Sequence, residues 1–227
     1  MLDALIDLPD TMEVVLDALA LTLARESANQ EHLATLAGKD PLGWRYRVFV
    51  EAAVPLDHFR FDSEESLRPS ENLPLVNISF LRSDFPEDRG SAGSGIMTAE
   101  STFLVDCYAT SPTVLTADGG AIRADESSAR AAYRVARLVR NTLLAVEYQD
   151  LGLPPGTIGK RWIESIESLR PNPKAAQLLN ERVAVARFRV NYDFEEGAPQ
   201  ITPTVLTETI GAIKRDSDGQ IFATIKT

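Results

Sequence analysis

Between Arg182 and Phe194 every second residue is apolar. Ala184, Ala186, Phe188, Val190, Tyr192 and Phe194 share one parity, and Arg187, Arg189, Asn191 and Asp193 share the other. A period of two held this long fits an extended strand with one dry face and one wet face. Such a strand needs neighbours for its backbone and a cover for its dry side, so the rest of the chain must supply both.

The neighbours are legible. Arg45–Val54 sets Tyr46, Val48 and Val50 against Arg45, Arg47 and Phe49; Leu75–Leu81 sets Val76, Ile78 and Phe80 against Asn77 and Ser79. Ser101–Tyr108 places Phe103, Val105 and Cys107 on one side, and Lys160–Leu169 reads as a further strand. Two helices supply the cover. The first begins at Asp10, with Glu13 completing an acidic capping box, and carries a stripe of Met12, Val15, Leu16, Leu19 and Leu23. It runs to Ala37, and Gly38 to Gly43 ends it. The second spans about Ser127 to Tyr148, capped by Asp125, Ser127 or Ser128, with Ala132, Val135, Ala136, Val139, Leu143 and Val146 on its apolar face. Pro154-Pro155-Gly156 forbids its continuation.

The connections are turn-rich. Asp84–Met97, with Pro86, Gly90, Gly93 and Gly95, reads as a flexible hairpin loop, and Ser111–Asp125 as a second loop. Pro171-Asn172-Pro173 breaks a strand, and Lys174–Asn180 fits one short helical turn. A terminal hairpin is expected from Thr204–Lys214, a turn at Asp216-Ser217-Asp218-Gly219, and Gln220–Lys226. The expected fold is therefore α+β: a mostly antiparallel sheet with two main helices on one face, long hairpin loops and a C-terminal β-hairpin. Residues 1–227 form a single domain, with the hairpin at about 204–226 either part of it or an added module.

Charge and cysteine usage narrow the function classes. With 23 Lys and Arg against 33 Asp and Glu the net charge is −10, which argues against a nucleic-acid-binding surface spread over the molecule. One Cys excludes an internal disulfide. The most apolar stretch, Val14–Ala24, is interrupted by Asp17 and falls short of the roughly 20 residues a bilayer requires. Asp3, Asp7 and Asp10 give the N-terminus the wrong sign for a leader, so a cytoplasm is the expected compartment of synthesis.

Catalytic and metal-binding constellations are thin. His32 falls opposite the apolar stripe of the first helix, and His58 reads as a surface histidine beside Asp57. Cys107 alternates inward and reads as a core residue, so neither a Cys-His nucleophile nor a tetrahedral metal shell is expected. Gly90-Ser91-Ala92-Gly93-Ser94-Gly95 lacks the Lys-Ser/Thr ending of a phosphate loop and precedes a strand. Asp216–Gly219 resembles half a calcium loop, yet Ile225 stands where the closing Glu is required. The carboxylate pairs Glu64-Glu65, Glu87-Asp88 and Glu195-Glu196 read as solvated loop charge. No catalytic residue, metal ligand or cofactor is assigned.

Arg130, Arg134, Arg137 and Arg140, spaced 4, 3 and 3 apart, lie along one face of the second helix. One reading is a solvated face supported by i,i+4 acids. The other is a subunit interface that meets an acidic surface on a neighbouring copy, because a basic stripe in an acidic chain segregates charge. Nucleic acid ranks third.

Several segments together resemble the tail terminator, or tail completion, proteins of long-tailed bacteriophages, particularly Mu-like ones. They are Met1-Leu2-Asp3-Ala4-Leu5-Ile6-Asp7, Pro74-Leu75-Val76-Asn77-Ile78, Phe103-Leu104-Val105-Asp106-Cys107-Tyr108, Ala136-Arg137-Leu138-Val139-Arg140-Asn141, Tyr148–Gly152 and Arg161-Trp162. The resemblance implies a non-enzymatic virion protein, made in the host cytoplasm and located in the virion tail. It would form a homo-oligomeric ring, usually a hexamer, capping the tail tube protein and docking the head-completion or connector protein. It implies no sequence-specific nucleic acid and no membrane. Subunit contacts then fall to Arg130, Arg134, Arg137 and Arg140, and partner binding to the loop carrying Asp84, Arg89, Gly93 and Met97. Another neck or tail-tube adaptor is the alternative role, followed by a small cytoplasmic enzyme using loop carboxylates.

Overall fold

The computed structural model describes residues 9–59, 73–86, 96–111, 114–169, 183–197, 214–215 and 221–222. Helix α1 (Thr11–Leu36) opens with the expected capping box, the Asp10 amide donating to Glu13 Oε2 at 2.8 Å. It closes in a Schellman turn. Gly38 takes φ +65°, its amide donates to the Thr35 carbonyl, and the Lys39 amide donates to that of Ala34.

Five strands form the main sheet: β1 (Arg47–Val50), β2 (Leu75–Asp84), β3 (Ile96–Thr110), β6 (Ile158–Leu169) and β7 (Val183–Gly197). Their spatial order is β1-β2-β3-β7-β6, antiparallel throughout except that β1 runs parallel to β2. Two short strands between β3 and the second helix, β4 (Val114–Leu115) and β5 (Ala121–Ile122), pair as a small ribbon where a plain loop was expected. Helix α2 (Ala124–Leu144) follows. Near the C-terminus β8 (Lys214–Arg215) pairs antiparallel with β9 (Ile221–Phe222), and β9 lies beside α1 and β1. The remainder of that expected hairpin, its Asp216–Gly219 turn and the expected Lys174–Asn180 turn lie outside the described residues.

Both helices cover one side of the sheet. Val15, Leu19 and Leu23 of α1 and Val135, Val139 and Leu143 of α2 share one core with Val76, Ile78, Phe103, Val105, Phe188, Val190, Tyr192 and Phe194. Every one of these strand residues has the inward parity that the sequence assigned. The α+β layering is as expected. A long hairpin joins β2 to β3, although both strands extend further into the expected loop: β2 reaches Asp84 and β3 begins at Ile96.

Helix α1 departs from the single stripe. Val14, Val15, Leu16, Ala18, Leu19, Ala20, Leu21 and Leu23 are all buried, because the sheet, α2 and β9 pack around it on several sides. A helix enclosed in this way has no need of a wet face along that stretch. β1 is shorter than Arg45–Val54 because Glu51 turns into a left-handed conformation at φ 52°. Its carboxylate accepts the Phe80 amide at 2.6 Å, at the register shift between Phe80 and Arg82.

Candidate interaction surface

α2 holds the residues that most resemble a functional surface. Its inward side is Ala132, Val135, Ala136, Leu138, Val139 and Leu143, all buried. Val146, expected on that face, is instead exposed: the helix ends at Leu144 and Val146 enters a 3₁₀ turn at residues 146–148. Asp125, Ser127 and Ser128, expected as caps, all lie inside the helix, and Arg123 precedes it. Ser128 Oγ accepts the Ser111 amide at 2.9 Å, and the Ser127 and Ser111 hydroxyls are bonded, so the two serines tie the helix to the end of β3.

The four arginines point outward and are exposed. Arg130 is bound to Glu126 one turn earlier, a pair with both side chains at least half exposed. This is the i,i+4 support of the solvated-face reading. Arg134, Arg137 and Arg140 have no ion pair among the described residues. Arg134 rests over Gly43, where an added Cβ would meet its Nη1 at 3.4 Å. Tyr133 and Leu144, both more than half exposed, flank the arginines.

Arg137 also borders a cleft of about 300 Å³ between α1 and α2, lined by Glu26, Gln30, Trp44, Leu138, Asn141, Thr142, Ala145 and Tyr148. Glu26 on its α1 side is held in place by donors: Gln30 Nε2 at 2.6 Å, Asn29 Nδ2 at 3.2 Å and the Tyr148 hydroxyl. Burial and the Glu26 carboxylate together push the Tyr148 phenol up to about 12, so it donates at any physiological pH. Arg161 of β6 closes the structure behind the cleft, donating to the carbonyls of Ala145 and Tyr148 at 2.6 Å each. Both carbonyls also accept a backbone amide, from Tyr148 and Leu151 respectively, so Arg161 adds a charged second donor to each just past the end of α2.

The sheet face away from the helices carries charge in rows. Asp106 is buried and receives Arg187 bidentately, Nε to Oδ1 at 2.6 Å and Nη2 to Oδ2 at 2.7 Å, with Tyr108 donating at 3.2 Å. The carboxylate hydrogen bond holds the Arg187 guanidinium even more firmly protonated than usual, and burial pushes the Tyr108 phenol up. At the far end Asp84, Glu100 and Asp193 stand opposite one another on β2, β3 and β7, and Lys160 of β6 ends the row.

The other candidates fall into place. His32 is exposed, as expected. His58 is half-buried, its ring stacked on Phe49 at 4.2 Å, because the 3₁₀ turn at residues 55–58 folds back over a small second core of Phe49, Phe59 and Leu75. It is no plain surface histidine. Cys107 is fully buried, and desolvation pushes its thiol well up. Of the expected partner loop, Asp84 belongs to β2 and pairs with Arg82 at 3.1 Å, while Met97 belongs to β3 and is exposed. Alternation carries the strands past the polar residues that read as loop. Arg89, Gly93, the Gly90–Gly95 run, Glu64-Glu65 and Glu87-Asp88 lie outside the described residues. Glu195 and Glu196 are in β7 and not in a loop. Among the described residues no three His, Cys, Asp or Glu side chains converge as a metal shell would, and no helix is long and apolar enough to cross a membrane. The cleft escaped sequence reading because Glu26 and Tyr148 are 122 residues apart; no local pattern joins them.

No protein-family model matches this chain, and no curated protein matches it significantly.

Proposed function

We propose that this chain is a structural subunit of a phage tail end, of the tail-terminator type, which closes into a ring through the arginine face of α2. The observation that carries the reading is the outward row Arg134, Arg137 and Arg140. Three cations without an ion pair among the described residues stand on the helical side of a chain with net charge −10. A solvated face gains little from unpaired like charges, whereas an acidic surface brought by another copy is attracted to all three. The segments that resemble tail terminators, among them Ala136–Asn141, include two of these arginines. In this role the protein breaks no bond. It ends tube growth by covering the last subunits and presents its other side to the head connector.

Light scattering or native mass spectrometry, with negative-stain images, tests this. Six copies amount to about 149 kDa at 24.9 kDa each, and a closed ring of that mass is the expected outcome. Arg134→Glu with Arg137→Glu is expected to weaken ring formation and tube capping in low salt. A protein that remains monomeric and also fails to cap preformed tubes overturns the proposal. Open stacks in place of rings favour the tube-subunit alternative.

A further inference from the structure

The acceptor for the arginine face is identifiable on the same chain. We infer that α2 of one copy docks across the outer sheet face of the next, with Arg134, Arg137 and Arg140 set against the carboxylate row Asp84, Glu100 and Asp193. This rests on the self-association proposed above and names its second half.

Like charges directly opposite on adjacent strands are unfavourable, yet here three stand in register. Asp84 pairs with Glu100 across β2 and β3, and Glu100 with Asp193 across β3 and β7. All three lie on the outer parity: Ala99, Tyr192 and Phe194 next to them are buried among the core residues. Asp84 is exposed, Glu100 and Asp193 are half-buried, and exposed Glu195 adds a fourth carboxylate two residues along β7 on the same face. Among the described residues, Arg82, bound to Asp84, and Lys160, opposite Asp193, are the cations on that part of the face. Carboxylates outnumber them.

Spacing decides the docking direction. Neighbouring strands lie roughly 4.8 Å apart. Residues three apart on a helix rise about 4.5 Å. Arg134, Arg137 and Arg140 are three apart, and each step turns about 60° around the axis. In a helix laid across β2, β3 and β7 with Arg137 facing the sheet, the long side chains of Arg134 and Arg140 therefore reach down on either side, one guanidinium to each carboxylate. Arg130, four residues from Arg134 and already bound to Glu126, falls off the end of that row. The helix face and the outer sheet face are on opposite sides of the molecule, so the contact is head-to-tail. Such a contact closes into a ring or runs on as a filament according to its rotation angle.

Two experiments test the assignment on the full-length chain. In the first, Arg134→Glu with Arg137→Glu, and separately Asp84→Lys with Glu100→Lys, are each expected to weaken self-association at least ~10-fold by sedimentation. All four substitutions placed in one chain should restore it. In the second, chains carrying Arg137→Cys and chains carrying Glu100→Cys are mixed under mild oxidation. A disulfide-linked heterodimer is expected, with buried Cys107 as an inert bystander. If the arginine variant loses association while the Asp84/Glu100 variant keeps it, and no cross-link forms, the carboxylate row is overturned and the arginine interface survives. If the unaltered chain stays monomeric at every concentration and no cross-link forms, both fall.

Discussion

The two sides of the five-stranded sheet are built on opposite principles. On the helix side the cross-strand rows are apolar: Val76, Cys107 and Ala186; Ile78, Val105 and Phe188; Phe80, Phe103 and Val190. On the outer side one apolar row, Leu75 with Tyr108 and Val185, abuts the small Phe49–Phe59 core. The next is Asn77, Asp106, Arg187 and Glu167, polar from one side of the sheet to the other. The helix side gains stability from area removed from water. The outer side gains little net energy but much specificity of register. A one-residue slip of β7 would drive Arg187 into the core and leave Asp106 buried without its partner.

The sharpest way to break this comparison is to truncate one residue on each side. Phe103 is fully buried, edge-on to Phe80 and Tyr192, and Phe103→Ala should lower unfolding free energy by about 3–5 kcal/mol in urea titration. Its outer neighbour Leu104 is only half-buried, and Leu104→Ala should lose less than about 1.5 kcal/mol. Equal losses would mean that the outer side is packed as a second core.

A smaller effect is expected at the buried ion pair. Asp106→Asn leaves the Arg187 guanidinium, 29% exposed, with a neutral acceptor, and should destabilise by about 2 kcal/mol, less than a fully buried pair because water still reaches the arginine. Asp106→Leu combined with Arg187→Met should recover most of that loss, within about 1 kcal/mol of the parent. A double variant as unstable as the single one would show that the pair contributes energy and not only register.

Alkaline pH probes the helix side next. Cys107, Tyr46 and Tyr192 are buried there, and burial raises each above its usual value of 9.0 or 10.0. Tyr148 is raised to about 12. Between these usual values and the raised ones the unfolded chain has released protons that the folded chain retains, so stability falls as pH rises. Melting temperature should hold from pH 7 to 8.5 and decline from about pH 9 upward. A flat profile to pH 11 would mean that these groups are not enclosed.

The smallest effect belongs to the surface. Arg130→Ala removes an exposed i,i+4 pair and should change stability by no more than about 0.5 kcal/mol. A larger loss in monomer would give the arginine row a role in holding the fold.

Alternation made most of the sheet legible, since β3 and β7 bury the residues whose parity marked them, with half-buried Ala184 near the start of β7 the exception. What escaped was set by distance or by shared burial. The parallel pairing of β1 with β2 leaves no mark in either strand, because the alternation is the same beside a parallel or an antiparallel neighbour. Sequence pattern alone ends the strands at Ser101 and Leu81, because Thr98, Glu100, Arg82 and Asp84 are polar on the outer face and polar residues near a turn resemble loop. Asn77 and Asp106 read as wet positions yet are buried, because the Asn77 amide pairs with the backbone of Ala52, and Arg187 and Tyr108 engage the Asp106 carboxylate. The arginine face was plain from spacing alone; the cleft and the carboxylate row were not, as each is assembled from strands or helices far apart in sequence.

The Arg161 clasp on the Ala145 and Tyr148 carbonyls has a mechanical consequence. It rivets the trailing end of α2 to strand β6, so a load applied along the helix is delivered to the sheet and bypasses the connecting turn. Displacing α2 along its axis requires a charged group to leave two acceptors at once. Whatever pulls on the helix pulls on the sheet.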